Sequence, residues 1–380
     1  MTDTILSITI ILITFFLVNF LDKEGTQWVK KITRWIPAIL FSFIFPAIIT
    51  HVFKLDLSSA PIFSWNTKYL YPVTIFTIMA SMSLKQLKIV GFKPLFLFFF
   101  GSLIISITPI LLLLGVVLFQ FDISILLIEN GYWKGLIPIV GSWIGGSSSM
   151  LILKEYIALN EDLFFSVLVI DTIIQNIVMV LLFQSIKQTK RIDEKYDLDL
   201  IKFTNVDLEE KKSETLNLPL TLFFSFSIPI LFIFINLSFL TNVILLSILG
   251  LLFGNFLKFW SHAINLKLGS IGIILIMAII GLKLNFESFE LPLEFVGIIS
   301  AWMLINLISI TIIGFKLKIS FSWTPIIIMA NIGGISTAPA LASAYDKRLM
   351  PHAIVLAILS MATGTFWGII TVAGIRYFIL

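Results

Sequence analysis

The chain has 380 residues, of which 58% are hydrophobic and 13% charged, with 36 Phe and a formal net charge of +4. Soluble domains carry about 25% charged residues, so composition argues against a water-soluble protein, and apolar runs of about 18 residues or more read as a polytopic helical membrane protein in contact with a lipid bilayer. The absence of cysteine removes any disulfide framework or thiolate metal site, and the modest charge does not point to nucleic acid, since in a membrane protein the placement of Lys and Arg matters more than their sum.

In chain order, Ile5–Leu21 is expected as the first span; no basic region precedes it, so it is read as retained rather than as a signal peptide. A charged loop, Asp22–Arg34, leads to a second span, Trp35–Phe53, bent at Pro46 by the missing backbone donor. A polar stretch to Lys68 precedes the third span, Tyr69–Leu84, which carries Ser81 and Ser83. The fourth, Pro94–Phe121, is long enough to tilt or kink at Pro109. After a loop, Asp122–Lys134, a glycine-rich segment runs from Gly135 to Leu153, followed by Asp162–Ile186. Residues 187–217 are rich in both signs of charge and read as a solvated linker with some helix. The second half repeats the series as Leu218–Phe239, Val243–Trp260, Gly269–Leu284, Pro292–Phe315, the segment Thr324–Tyr345, and Met350–Ile375.

Two internal matches set this register. Ile144-Gly145-Gly146-Ser147-Ser148-Ser149 is echoed by Ile332-Gly333-Gly334-Ile335-Ser336-Thr337, and Ile78-Met79-Ala80 by Ile276-Met277-Ala278. Adjacent glycines cost about 1 kcal/mol each in a helix interior, and a helix broken in hydrocarbon leaves backbone groups unsatisfied. Paired interruptions of this kind in corresponding halves point to a substrate site.

Charge then decides parity. If neither glycine segment makes a net crossing, only Lys54, Lys68, Lys134, Lys154, Lys283 and Arg376, of 26 Lys and Arg, fall on one side. If both cross, the bias vanishes. The positive-inside rule favours the first arrangement. It predicts two inverted repeats (residues 1–186 and 218–380), each of five crossings plus one broken or re-entrant segment. Both termini lie outside and the linker 187–217 is cytoplasmic, in a prokaryotic inner membrane.

Asp171 is the one carboxylate expected inside a span, which makes it a functional-site hypothesis. Gln175 lies one turn further on, with Asn176 beside it. Asp171 would carry Na⁺ or a proton, with amide and carbonyl oxygens as further ligands; no other cofactor is expected. Gly145, Gly146, Ser147, Ser148, Ser149, Asn331, Gly333, Gly334, Ser336 and Thr337 would form the broken-helix site, where free N–H groups suit anions and freed carbonyls suit Na⁺. Small residues that merely let helices approach are the plain alternative. Thr363-Gly364-Thr365 is a weaker candidate, Asn306 reads as interhelical glue, and Lys154 with Glu155 as a solvated or interfacial pair.

At these residues the chain resembles the family catalogued as domain of unknown function 819. The resemblance is clearest at Gly141-Ser142-Trp143-Ile144-Gly145-Gly146-Ser147 with Val169-Ile170-Asp171, and at Ala330-Asn331-Ile332-Gly333-Gly334 with Ala338-Pro339-Ala340-Leu341-Ala342. That family is similar to sodium/glutamate symporters, bile-acid symporters and cation/proton antiporters. The resemblance implies two inverted repeats whose broken helices meet in a mobile core, and a possible homodimer. The glutamate symporters follow the glycine pair with a histidine, where this chain has Ser147 and Ile335, so glutamate is not carried over. Antiporters commonly have a carboxylate pair where this chain has Ile170-Asp171.

The expectation is therefore an ion-coupled secondary transporter of a small, anionic organic solute: an amino acid, short peptide or carboxylate. A cation/proton antiporter using Asp171 is the alternative, and a channel, sensor or scaffold a further one. An enzyme is not expected, because no base sits mid-span to serve Ser147–Ser149.

Overall fold

The structure, a computed structural model, describes residues 2–23, 38–57, 60–82, 90–185, 188–198, 218–235, 237–257, 260–284 and 292–380. Among them there is no β-strand, and eight helices are long and apolar enough to cross a membrane. The helices are α1 (Thr2–Lys23), α2 (Ala38–Val52), α3 (Ile62–Trp65), α4 (Tyr71–Ala80), α5 (Phe92–Leu118), α6 (Trp133–Tyr156) and α7 (Glu161–Ser185). After these come α8 (Thr189–Tyr196), α9 (Leu218–Ile233), α10 (Phe239–Phe256), α11 (His262–Gly281), α12 (Leu293–Lys316), α13 (Trp323–Ile332), α14 (Gly334–Tyr345) and α15 (Met350–Phe378).

Hydropathy located these segments, and local chemistry moves several ends. The polar stretch before the third span is helical from Ile62, and a π turn at Asn66–Leu70 joins α3 to α4. Ile62 and Asn66 are buried there, so packing draws the stretch into the helix. The seventh apolar run stops at Ile233 and a new helix starts at Phe239, because Ser238 Oγ accepts the Thr241 amide at 3.2 Å. This is an N-cap inside an apolar run, which a hydropathy window passes over. Likewise Ser261 Oγ accepts the Ile264 amide at 3.4 Å, starting α11 ahead of Gly269 and placing Lys267 within the helix rather than in a loop. Lys154 is buried in the last turn of α6, not solvated. Ser83, and the linker outside residues 188–198, lie outside the described residues.

Two compact units divide the chain, and each takes elements from both sequence halves. The first holds α1–α4, α9–α11 and the start of α7 to Thr172. Its centre is α4, gripped by glycines on two neighbours. A Cβ on Gly250 or Gly254 of α10 would strike the main chain at Phe76 or Ala80, and one on Gly269 or Gly272 of α11 would strike Ile78 or Thr74. Helices without Cβ atoms at a crossing approach closely and gain dispersion contact. The carbonyls left open at the end of α4 are met by side chains. Trp260 Nε1 donates to Ala80 O at 2.9 Å and Asn255 Nδ2 to Met82 O at 3.0 Å.

The second unit holds α5, α6, the rest of α7, α8 and α12–α15. Helix α15 is its hub, packing against α5, α6, α13 and α14. The described part of the linker is fastened here rather than fully solvated. Asp193 of α8 accepts from the Phe321 amide at 2.7 Å and the Ser320 hydroxyl at 2.8 Å, and Tyr196 stacks on Phe315 at 4.9 Å. Asp193 thus satisfies donors just before α13. Past α14, the Arg348 side chain hydrogen-bonds the Asp346 carboxylate and holds it below its ordinary pKa.

Candidate functional site

Each glycine pair breaks its helix at the second glycine. Gly146 has φ 68° and ψ −164° inside α6, and Gly334 has φ 66° at the start of α14. Residues bearing a Cβ avoid positive φ, and the Gly146 combination is open essentially to glycine alone. A break of this kind interrupts the i to i−4 ladder and frees carbonyls before it and amides after it. The four half-helices run over residues 133–145, 147–156, 323–332 and 334–345. At about 1.5 Å per residue each spans roughly half of a ~30 Å hydrocarbon layer.

The first glycine of each pair has a different reason. A Cβ on Gly145 would collide with the Ser149 hydroxyl, and a Cβ on Gly333 with the Thr337 hydroxyl. At both breaks a hydroxyl folds back over the glycine four residues earlier. The sequence echo is therefore also a structural one, in backbone and in side chain.

The surroundings of the two breaks differ. The first is tied down: Ser148 Oγ donates to Gly145 O at 3.2 Å, and Thr365 Oγ1 of α15 donates to Ser149 Oγ at 3.2 Å. Gly364 Cα lies 2.9 Å from where a Gly145 Cβ would stand, so the two backbones touch. Gln175 Nε2 donates to Ser142 Oγ at 3.0 Å, which links α7 to the same turn. At the second break, Ser102 Oγ of α5 lies 3.3 Å from Asn331 Oδ1, and Ser360 Oγ donates to Asn331 O at 3.4 Å. Asn331 Nδ2 and Thr337 Oγ1 are buried and have no partner among the described residues.

The remaining expected residues fall out as follows. Ser147 and Asn176 are half-buried. Thr363 Oγ1 is occupied by its own helix, donating to Leu359 O at 3.0 Å. The side chain of Ser336 lies outside the described residues. Asp171 is 4% exposed, and among the described residues it is the one buried carboxylate. It belongs to the part of α7 grouped with the first unit, whereas both breaks, Gln175 and Asn176 belong to the second.

Four features went unforeseen. Gly368 lies one turn beyond Gly364, against Leu153, making a small-residue stripe whose spacing was visible in the sequence. Ser102 gave no local signal. Trp143 and Trp302 pack at 4.3 Å between ring centroids, which no local pattern announces. Asn306, expected as interhelical glue, is fully buried, and neither of its amide atoms has a partner among the described residues.

Among the described residues, eight membrane-length apolar helices mark a polytopic helical membrane protein, two of whose helical segments are interrupted at matching glycines. The family model described as Protein of unknown function (DUF819) matches residues 9–378, and the chain belongs to that family. No curated protein matches it.

Proposed function

We propose that the protein is a secondary transporter that moves a small anionic organic solute, coupled to Na⁺ or H⁺, by alternating access. One observation carries this reading. The two glycine pairs have the same positive-φ break at the second glycine and the same hydroxyl folded over the first. Breaking two helices alike inside apolar segments leaves polar backbone where hydrocarbon cannot satisfy it, and a solute or ion can. In this reading residues 1–186 and 218–380 are inverted repeats joined by a cytoplasmic linker, with both termini outside. The two breaks are approached from opposite faces and line one site. Hydroxyls and carbonyls there suit Na⁺, and half-helix N-termini suit a carboxylate. Asp171 carries the coupling charge.

The test is uptake into proteoliposomes of radiolabelled glutamate, succinate and alanyl-glutamate under an inward Na⁺ or proton gradient, with Asp171→Asn beside wild type. Gradient-driven uptake should collapse in the variant. Equal uptake by both removes Asp171 from the mechanism, and no uptake of any of the three by wild type counts against an anionic cargo. Asp171 as the one buried carboxylate among the described residues also suits cation/proton antiport. Cation-dependent dissipation of a pH gradient without solute would favour that reading.

A further inference from the structure

The second unit contains unpartnered polar atoms that extend from the second glycine break onto α12. Trp302 Nε1 and both amide atoms of Asn306, on α12, are buried and unpartnered among the described residues, as is Asn331 Nδ2 on α13. Trp302 and Asn306 are both 0% exposed and Asn331 1%. Buried polar groups are nearly always hydrogen-bonded, and each exception calls for a cause. Four such atoms here share one stretch of one unit.

Contacts at either end fix where that stretch runs. Trp302, Asn306 and Ile310 are successive i, i+4 positions and share a face of α12. At one end, Trp302 packs on Trp143, which precedes the Gly145–Gly146 pair on α6. At the other, a Cβ on Gly101 of α5 would stand 2.8 Å from Ile310 Cδ1 and 3.3 Å from Asn331 Nδ2, which precedes the Gly333–Gly334 pair. The face of α12 therefore reaches from the approach to one break to the approach to the other, and Asn306 sits between its two ends.

The atom types select the ligand. An indole N–H only donates, so whatever meets Trp302 Nε1 must accept, and a bare cation is unsuited there. Asn306 adds two N–H donors and one carbonyl; whichever way its amide is turned, both ends are open. Ser102 engages one end of the Asn331 amide and leaves the other free. No charged group is part of the set. We propose that Trp302, Asn306 and Asn331 form a donor belt that binds a carboxylate of the transported solute. Asn306 is the central specificity residue. The proposal rests on the transporter reading and identifies what recognises the cargo.

The experiment uses purified full-length protein in one detergent, with thermal unfolding followed against glutamate, succinate and alanyl-glutamate in Na⁺ and in choline buffers. Asn306→Leu keeps the branched shape and the number of heavy atoms and removes the unpaired amide. Its midpoint without ligand should equal or exceed that of wild type, while apparent affinity for the stabilising anion weakens at least tenfold. Trp302→Phe keeps an aromatic ring on the Trp143 side and removes the N–H together with part of the indole; it should weaken the same anion by threefold or more. The proposal is overturned if either variant retains wild-type affinity, the mark of an amide serving packing or internal water only. A lowered midpoint in Asn306→Leu leaves Trp302→Phe as the deciding variant. Gly146→Ala separates the two levels. If it loses anion stabilisation while Asn306→Leu and Trp302→Phe keep it, the broken-helix site stands and the belt fails. If no anion stabilises wild type, both fail.

Discussion

Replacing Gly146 by alanine tests the broken helix directly, because two readings of α6 predict opposite signs. If Gly146 were ordinary helix, the substitution would stabilise the protein by about 0.8–1.0 kcal/mol, the difference in helix propensity. At φ 68° and ψ −164°, a Cβ instead imposes strain of about 1–3 kcal/mol. Sterics do not confuse the comparison, since nothing lies within 4 Å of the added Cβ. Gly115 in α5 and Gly297 in α12 are equally open but have no positive φ, so they serve as internal controls. The expectation is that Gly146→Ala and Gly334→Ala lower the unfolding free energy while Gly115→Ala and Gly297→Ala leave it unchanged or raise it. Reversible denaturation of all four in the same detergent reads the sign. Should Gly146→Ala group with the controls, α6 is a continuous helix and the argument for a site at its centre is lost.

Two further outcomes follow from contacts within the second unit. Gly364→Ala should destabilise by about 1–3 kcal/mol, an overpacking cost with no relief, because the added Cβ meets the Gly145 backbone; Gly374→Ala on the same helix meets only the mobile end of Ile110 and should cost less in the same denaturation assay. Asp193→Ala removes the acceptor of the Ser320 hydroxyl and the Phe321 amide, a local loss of about 1–2 kcal/mol. Hydrogen exchange should speed up in Thr189–Tyr196 while α12 keeps its protection; unchanged exchange would mean the linker helix is held by other contacts.

How much of this could be read from the residues depends on the range of the interaction concerned. Spans such as α5 and α7 are legible because hydropathy is a local sum, and the glycine pairs because a helix breaker inside an apolar run is conspicuous. Ends set by one hydroxyl, as at Ser238 and Ser261, are missed because an N-cap is a single hydrogen bond inside a greasy window. The anchoring of the linker helix is missed for a related reason: Asp193 reaches residues more than a hundred positions away. Asn306 was misjudged because an isolated amide on an apolar helix has the same local sequence whether it is paired or not. Only the structure shows that it has no partner among the described residues.

The two breaks also show what an internal repeat specifies. The positive φ repeats closely, 68° at Gly146 and 66° at Gly334, because it depends on the glycines themselves. The polar surroundings do not repeat. Around Gly145 the Ser148 and Ser149 hydroxyls are engaged by Gly145 O and Thr365, whereas around Gly333 Thr337 Oγ1 and Asn331 Nδ2 have no partner among the described residues. A tied break is stabilised by the protein, and an open one is left for something else to satisfy. If a solute binds between half-helices here, its polar contacts should therefore concentrate at the second break and along the adjoining face of α12, with the first acting as the rigid wall.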